Sequence, residues 1–291
     1  MKIIHSYWSK PYAISNENTG GWFHKIFHYM SCALSCLKFR EYYEIELFTD
    51  QKGKELFIEK LQLPYTNVQV ILDDLNGYNP ELWAIGKIYT YGKQTEPFIH
   101  VDNDVYIWEK LPLYLETAEI VAQHKEVDYP HNREFYNDVK SVFTYIPSPI
   151  IEFRKIEKKI IEINAGIFGG NDIPFISKYV DEVFSFINRN LDSISLLKYK
   201  GMFNTIFEQY LLYCMATVEN KEISYLFNEE INNDFLGLAD FWDIMNAKTY
   251  IHTVGFYKNH YLIGEQMTQR LWFEYPEYYY RIVKLIKNGE I

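Results

Sequence analysis

Short apolar runs of strand length alternate with segments whose apolar residues recur at helical spacing, and this alternation constrains the fold of the 291 residues most. Strand-length runs cover Lys2 to Trp8, Ile45 to Asp50, Val68 to Leu72, the run ending at Val101, Ile120 to Gln123 and Ile160 to Phe168. Ile223 to Phe227 and Tyr250 to Val254 read as late strands. Between them the period predicts a helix over Trp22 to Phe39, with Phe23, Ile26, Phe27, Met30, Leu34 and Leu37 on its apolar positions. Further helices are expected over Gly53 to Leu61, Pro174 to Ile187 and Phe203 to Val218. Asn79-Pro80 reads as the cap and first turn of a helix through Tyr91. A polar loop is expected over Ser15-Asn16-Glu17-Asn18-Thr19-Gly20-Gly21. Tyr129 to Ile151, with Pro130, Pro147 and Pro149, reads as a long surface excursion. The pattern predicts an α/β protein: a single, Rossmann-like, mostly parallel sheet flanked by helices, with ligands at the carboxyl ends of its strands. One domain over residues 1–291 is expected, its core at about 1–260 and a helical C-terminal tail at 261–291.

Bulk properties exclude some functions. A formal charge of −10 argues against a general nucleic-acid binder, which carries a basic footprint. It leaves room for a nucleotide ligand, because a bound cation can screen phosphate from acidic surroundings. Cys32 and Cys36 sit i, i+4 in a helical pattern and Cys214 stands apart, which fits packing in a reducing compartment. The opening apolar run is too short for a signal-peptide core, and no run reaches bilayer-spanning length. The expected location is cytoplasmic, or peripheral to the inner face of a membrane.

The candidate chemistry starts at Phe98-Ile99-His100-Val101-Asp102-Asn103-Asp104-Val105-Tyr106-Ile107. Residues two apart on a strand share a side, so Asp102 and Asp104 can present oxygens together where a buried strand runs out. Hard divalent cations are held by one or two carboxylates together with substrate phosphates. Lys87, on the preceding helix, can meet a phosphate as a point charge or serve as a solvated helix lysine. Asn164 closes an apolar run ahead of Ala165-Gly166 and offers an amide suited to sugar hydroxyls, or it ends a strand at a glycine turn. Glu208 and Gln209 are adjacent on a helix and face different ways; the plain alternative is a solvated Glu beside a buried Gln. His252, on a late strand, can add an imidazole to a cation held by carboxylates, and that mixed ligation suits Mn²⁺ over Ca²⁺ or Mg²⁺. It can equally be a packed histidine. Gly255 would let backbone approach a phosphate, with Lys258 adding charge.

Taken in order, these pieces resemble a nucleotide-sugar glycosyltransferase of the GT-A fold, in the retaining galactosyltransferase, glycogenin-like and capsular-polysaccharide transferase group. The family's D-x-D appears as Asp102-Asn103-Asp104 and its helix lysine as Lys87. Its N-A-G strand end appears as Asn164-Ala165-Gly166, and its acidic-Gln pair as Glu208-Gln209, with Glu where Asp is usual. The H-x-x-G-x-x-K element appears as His252, Gly255 and Lys258, followed by Asn259-His260 where Pro-Trp is common. The resemblance implies that Asp102, Asp104 and His252 hold Mn²⁺ (or Mg²⁺) against the diphosphate of a UDP-linked sugar. It implies that Asn103, Lys87, Gly255 and Lys258 line the nucleotide, that Tyr7 or Trp8 stacks on the base, and that Asn164, Glu208 and Gln209 address the donor sugar. The partners implied are a nucleotide sugar and a glycan acceptor.

Trp272, Phe273, Tyr275, Tyr278, Tyr279 and Tyr280 precede Arg281, Lys284 and Lys287. Such a tail either packs on the domain or settles at a membrane surface. Two other functions are open: a GT-A-like binding or scaffold protein without activity, and a sugar nucleotidyltransferase. The latter expects a glycine- and lysine-rich loop after the first strand, which Gly20-Gly21 with Lys25 matches poorly.

Overall fold

The structure is a computed structural model that describes residues 1–14, 19–229, 235–242, 244 and 248–291. The loop expected over Ser15-Asn16-Glu17-Asn18 lies outside the described residues. In chain order the strands are β1 (Lys2–Tyr7), β2 (Ile45–Thr49), β3 (Asn67–Val70), β4 (Phe98–Val101), β5 (Val105–Ile107), β6 (Ile120–Val127), β7 (Ile161–Gly170), β8 (Ile223–Tyr225) and β9 (Tyr250–His252). The helices are α1 (Lys10–Ile14), α2 (Lys25–Arg40), α3 (Gln51–Lys54), α4 (Ile85–Gly92), α5 (Leu113–Thr117), α6 (Pro130–Val142) and α7 (Ser148–Ile156). They continue as α8 (Ile173–Asn188), α9 (Leu191–Ile194), α10 (Phe203–Thr205), α11 (Leu211–Val218), α12 (Leu236–Ala239), α13 (Tyr261–Glu274) and α14 (Pro276–Lys287). Wider π turns occupy Glu55–Lys60 and Ile206–Tyr210.

A seven-stranded sheet frames the chain, and a separate ribbon pairs β5 with β9. Pairing is parallel for β1–β2, β2–β3 and β6–β8 and antiparallel for β6–β7, so the α/β reading with a mostly parallel sheet holds.

The chain divides into two compact units that interleave in sequence. The first comprises Met1, Tyr78–His100 and Pro112–Asn233; the second comprises Lys2–Gly77, Val101–Leu111 and Asp234–Ile291. In the first unit the strand order is β4-β7-β6-β8. Gly169 allows the close approach of β7 to β4, because a Cβ there would lie 2.0 Å from the Phe98 carbonyl oxygen. Its core is an aromatic mesh: Phe203 meets Phe143, Phe186 and Phe207, and Phe168 meets Tyr91 and Tyr179. Much of the high aromatic content is spent here, each fully buried ring contributing about 1.5–3 kcal/mol. In the second unit the order is β3-β2-β1. Helix α2 is buried over most of its surface, and α13 and α14 lie against it. The tail is therefore a packed element, anchored where Lys38 sits between Glu41 (2.9 Å) and Glu274 (3.0 Å).

Three expectations need correction. Tyr129 to Ile151 is not a surface excursion but contains α6 and the start of α7. Its prolines stand in helix first turns, where a missing N–H is no loss, and Asn132, Tyr136 and Val139 form a buried stripe at helical spacing. Asn79-Pro80 does not open a helix; Asn79 Oδ1 accepts the Glu81 N–H (2.9 Å) in a side-chain turn, and Asn204 Oδ1 takes the Ala84 N–H (2.9 Å). Helix α4 starts only at Ile85. Helix α2 begins at Lys25 rather than Trp22, because extended His24 accepts the Ile26 N–H on its own side chain (3.1 Å). No helix among the described residues is long and apolar enough to cross a membrane.

Candidate metal centre

Asp102 and Asp104 lie on the turn between β4 and β5 in the second unit, closed by Val105 N–H donating to the Asp102 carbonyl (3.1 Å). Ribbon β5–β9 is in register with Val105 opposite His252. That pairing brings an imidazole from far along the chain beside Asp104. One ligand atom each from Asp102, Asp104 and His252 lies within 4.8 Å of the others. His252 Nε2 is 3.6 Å from Asp104 Oδ1, and Lys258 Nζ is 2.6 Å from Asp104 Oδ2. Asp104 and His252 are buried and Asp102 half-buried.

The turn is held from several sides. Ser31 Oγ, on α2, donates to the Asn103 carbonyl (2.9 Å) and lies 2.7 Å from the buried Tyr106 hydroxyl. Ser35 Oγ donates to the Asp102 carbonyl (3.3 Å), and the Asn103 amide donates to the Ser6 carbonyl (2.9 Å). Thr253 gives its N–H (3.1 Å) and its hydroxyl (3.2 Å) to the Asp104 carbonyl. Ser31, Ser35, Tyr106 and Thr253 went unnoticed in the sequence because each reads as an ordinary helix or strand residue; only their spacing, i and i+4 for the serines, hints at a shared face.

Beneath the turn, burial pushes the imidazoles of His5 and His28 down to about 3, the nearby Asp104 charge opposing the shift in both and Lys258 lowering His28 further. Both rings are therefore neutral near pH 7. His28 Nε2 and Asn103 Oδ1 are buried with no hydrogen-bond partner among the described residues. Gly20, in the left-handed region (φ +57), closes over His28, where a Cβ would fall 2.3 Å from Nδ1. Tyr7 and Trp8 are buried at the end of β1; Tyr7 stacks on Tyr12 at 5.0 Å between ring centres, and the Trp8 indole N–H is unpartnered among the described residues. Gly255 is exposed with φ +55.

The other candidates lie in the first unit. Lys87 Nζ is 2.6 Å from Glu208 Oε1, so Lys87 is no solvated lysine. Glu208 is the buried member of its pair and Gln209 the half-buried one, the reverse of the plain alternative. Burial raises the Glu208 carboxyl above its ordinary range, with Lys87 opposing. Asn164 donates to Glu126 Oε1 (3.0 Å) and accepts from the Gly166 N–H (3.0 Å). Around it lies a group the sequence did not reveal: Glu126 stands opposite Glu162 and His124 opposite Asn164 in the β6–β7 register. Asn132 donates to Glu162 Oε2 (2.7 Å), and burial, then the Glu126 charge, pushes the Glu162 carboxyl well up. Register brings these residues together, and register is not written in local spacing.

Two carboxylates and an imidazole, with an unpartnered amide oxygen alongside, form a donor set that fits a divalent cation taking mixed O/N ligation. A family model described as a family of unknown function (DUF6734) matches residues 1–285. No curated protein matches. Similar solved structures include the galactosyltransferase LgtC in complex with donor and acceptor sugar analogues, at 13% identity, 71% of this chain, 70% of that chain and a TM-score of 0.38. Mouse xyloside xylosyltransferase 1 is similar at 14% identity over 77% of this chain and 85% of that one, with a TM-score of 0.37. The glycosyltransferase GlyE of Streptococcus pneumoniae TIGR4 is similar at 10% identity over 99% of this chain and 63% of that one, with a TM-score of 0.39.

Proposed function

The chain belongs to DUF6734, a family of unknown function, and we propose that it is a metal-dependent glycosyltransferase. It moves a hexose from a nucleotide-sugar donor, UDP-linked, to a hydroxyl of a glycan or similar acceptor. The observation that carries the reading is the convergence of Asp102, Asp104 and His252 from distant segments onto one point, with Lys258 on the same carboxylate.

Asp102, Asp104 and His252 are assigned to hold the cation, Mn²⁺ or Mg²⁺. When bound, that ion supplies Lewis-acid stabilisation of the leaving diphosphate. Lys258 adds a fixed positive charge where negative charge develops. Gly255, exposed and in the left-handed region, lets backbone come close to a phosphate oxygen. Trp8 offers a buried indole N–H for a base, while Tyr7 is stacked on Tyr12. Asn103, through its tie to Ser6, fixes the carboxylate turn against the end of β1. In the first unit, Asn164 and Gln209 are assigned to the donor sugar, Glu208 to its reactive end and Lys87 to holding Glu208 in place. The acceptor oxygen bonds to the anomeric carbon as the bond to the diphosphate oxygen breaks, the electron pair leaving with the diphosphate and the acceptor's hydroxyl proton passing to that departing oxygen.

The test is a donor panel with Mn²⁺, read out as released nucleoside diphosphate. UDP release from one UDP-sugar, dependent on Mn²⁺ and at least about tenfold slower in Asp104→Ala and His252→Ala, is expected. Turnover of a nucleoside triphosphate with a sugar phosphate would instead assign a nucleotidyltransferase. Absence of any turnover with no metal-dependent nucleotide binding would leave the scaffold reading.

A further inference from the structure

Helix α13 has two working faces. Ile263, Met267 and Leu271, four residues apart, are buried in the core of the second unit. Along an adjacent stripe Gln266, Gln269, Arg270 and Phe273 recur at i, i+3, i+4 and i+7. With Trp272 and the buried Phe241 they line a cavity of about 480 Å³. This cavity shares no residue with the Asp102, Asp104 and His252 cluster.

Its chemistry is specific. Trp272 is 50% exposed and Phe273 78% exposed, an aromatic surface that folding leaves in large part open to solvent. The Trp272 indole is oriented, its N–H donating to the Tyr280 hydroxyl (3.1 Å). Gln266 Oε1 accepts the Phe241 N–H (3.3 Å), which leaves the amide nitrogen as the donor end of that side chain. The Arg270 guanidinium lies 3.6 Å from Glu274, a carboxylate it shares with Lys38, so the lining offers donors and a single basic side chain. Aromatic faces beside amide and guanidinium donors suit a ligand with apolar C–H faces and hydroxyl edges. An anionic lipid surface is disfavoured by the formal charge of −10 and by a lining with one basic side chain rather than a basic cluster.

We propose that this cavity is a saccharide-binding subsite, in which Trp272 and Phe273 stack on a neutral glycan chain while Gln266, Gln269 and Arg270 hydrogen-bond its hydroxyls. The inference goes beyond the transferase reading and does not need it. A glycan held here would keep a polymeric ligand on the protein independently of nucleotide binding.

The experiment is calorimetric titration of the full chain with maltohexaose, cellohexaose and chitohexaose, alongside sedimentation with phosphatidylcholine and phosphatidylglycerol vesicles. Wild type binds at least one hexasaccharide, and Trp272→Ala and Phe273→Ala each weaken it about tenfold. Gln269→Ala, at an exposed position, weakens it without altering thermal stability. UDP binding with Mn²⁺ is measured on the same variants and stays at the wild-type value, so failure here and failure of the transferase reading are separable. Binding of none of the three sugars, or equal binding by wild type and Trp272→Ala, would overturn the proposal. So would vesicle binding that the same substitutions abolish, which would assign the face to a membrane surface.

Discussion

Asp104 carries more of the site than any other side chain, with His252 at 3.6 Å on one oxygen and Lys258 at 2.6 Å on the other. Removing it takes the Lys258 ammonium's partner carboxylate away and leaves two of the three side chains that could hold a cation. Asp104→Asn, which keeps shape and removes charge, should weaken Mn²⁺-dependent UDP binding at least about tenfold while leaving the unfolding transition cooperative. Unchanged binding would take Asp104 out of the site. Gly20 makes a second point at this scale. Its positive φ and the 2.3 Å approach to His28 mean that Gly20→Ala must shift the ring or the loop. A loss of about 1–3 kcal/mol in urea unfolding is expected. The grouping of the carboxylates and the histidine was legible in the sequence because residue type and spacing suggested one cation site, and their ligand atoms do lie within 4.8 Å of one another. The packing of His28 under Gly20 was not, because a histidine inside an apolar helix looks the same whatever it packs against.

The elements explain why the carboxylate turn is rigid. Helix α2 offers Ser31 and Ser35, ribbon β5–β9 offers Tyr106 and Thr253, and all four act on the turn's carbonyls or on one another. Thr253→Val removes one hydroxyl while keeping the branched shape. It should lower stability by about 1 kcal/mol and weaken UDP binding with Mn²⁺ more than UDP binding without it, since the turn holds the ligands. Equal loss in both would make Thr253 a packing residue only. Most elements were legible from their periods. The exceptions are instructive: Pro130 and Pro149 read as loop residues because proline breaks a helix interior, yet it also starts helices, and only tertiary burial of Tyr136 and Phe153 decides between the two. At Asn79 a side-chain turn wins over a cap because Asn204 captures the Ala84 N–H from a distant part of the chain.

At the scale of the whole molecule, fold class followed from the alternation of strand and helix signals, whereas the division into interleaved units did not, since it depends on which strands become neighbours. The buried acids of the first unit share that origin. Glu162 faces Glu126 across β6–β7 and holds its proton to higher pH than an exposed glutamate. Between the ordinary glutamate value and the raised one, the folded chain binds a proton that the unfolded chain has released. Stability from this group is therefore complete below the ordinary value and declines as pH rises through the folded one. Glu162→Gln should flatten that decline and raise the melting temperature near pH 8; an unchanged pH profile would show that burial and the Glu126 charge do not raise this carboxyl.

Isothermal titration of UDP into the protein with and without Mn²⁺ tests the proposed cation site for a nucleotide diphosphate. Binding should strengthen at least about tenfold when Mn²⁺ is present and lose that gain in Asp104→Asn and His252→Ala. Identical UDP binding with and without the metal, in wild type and both variants, would contradict it.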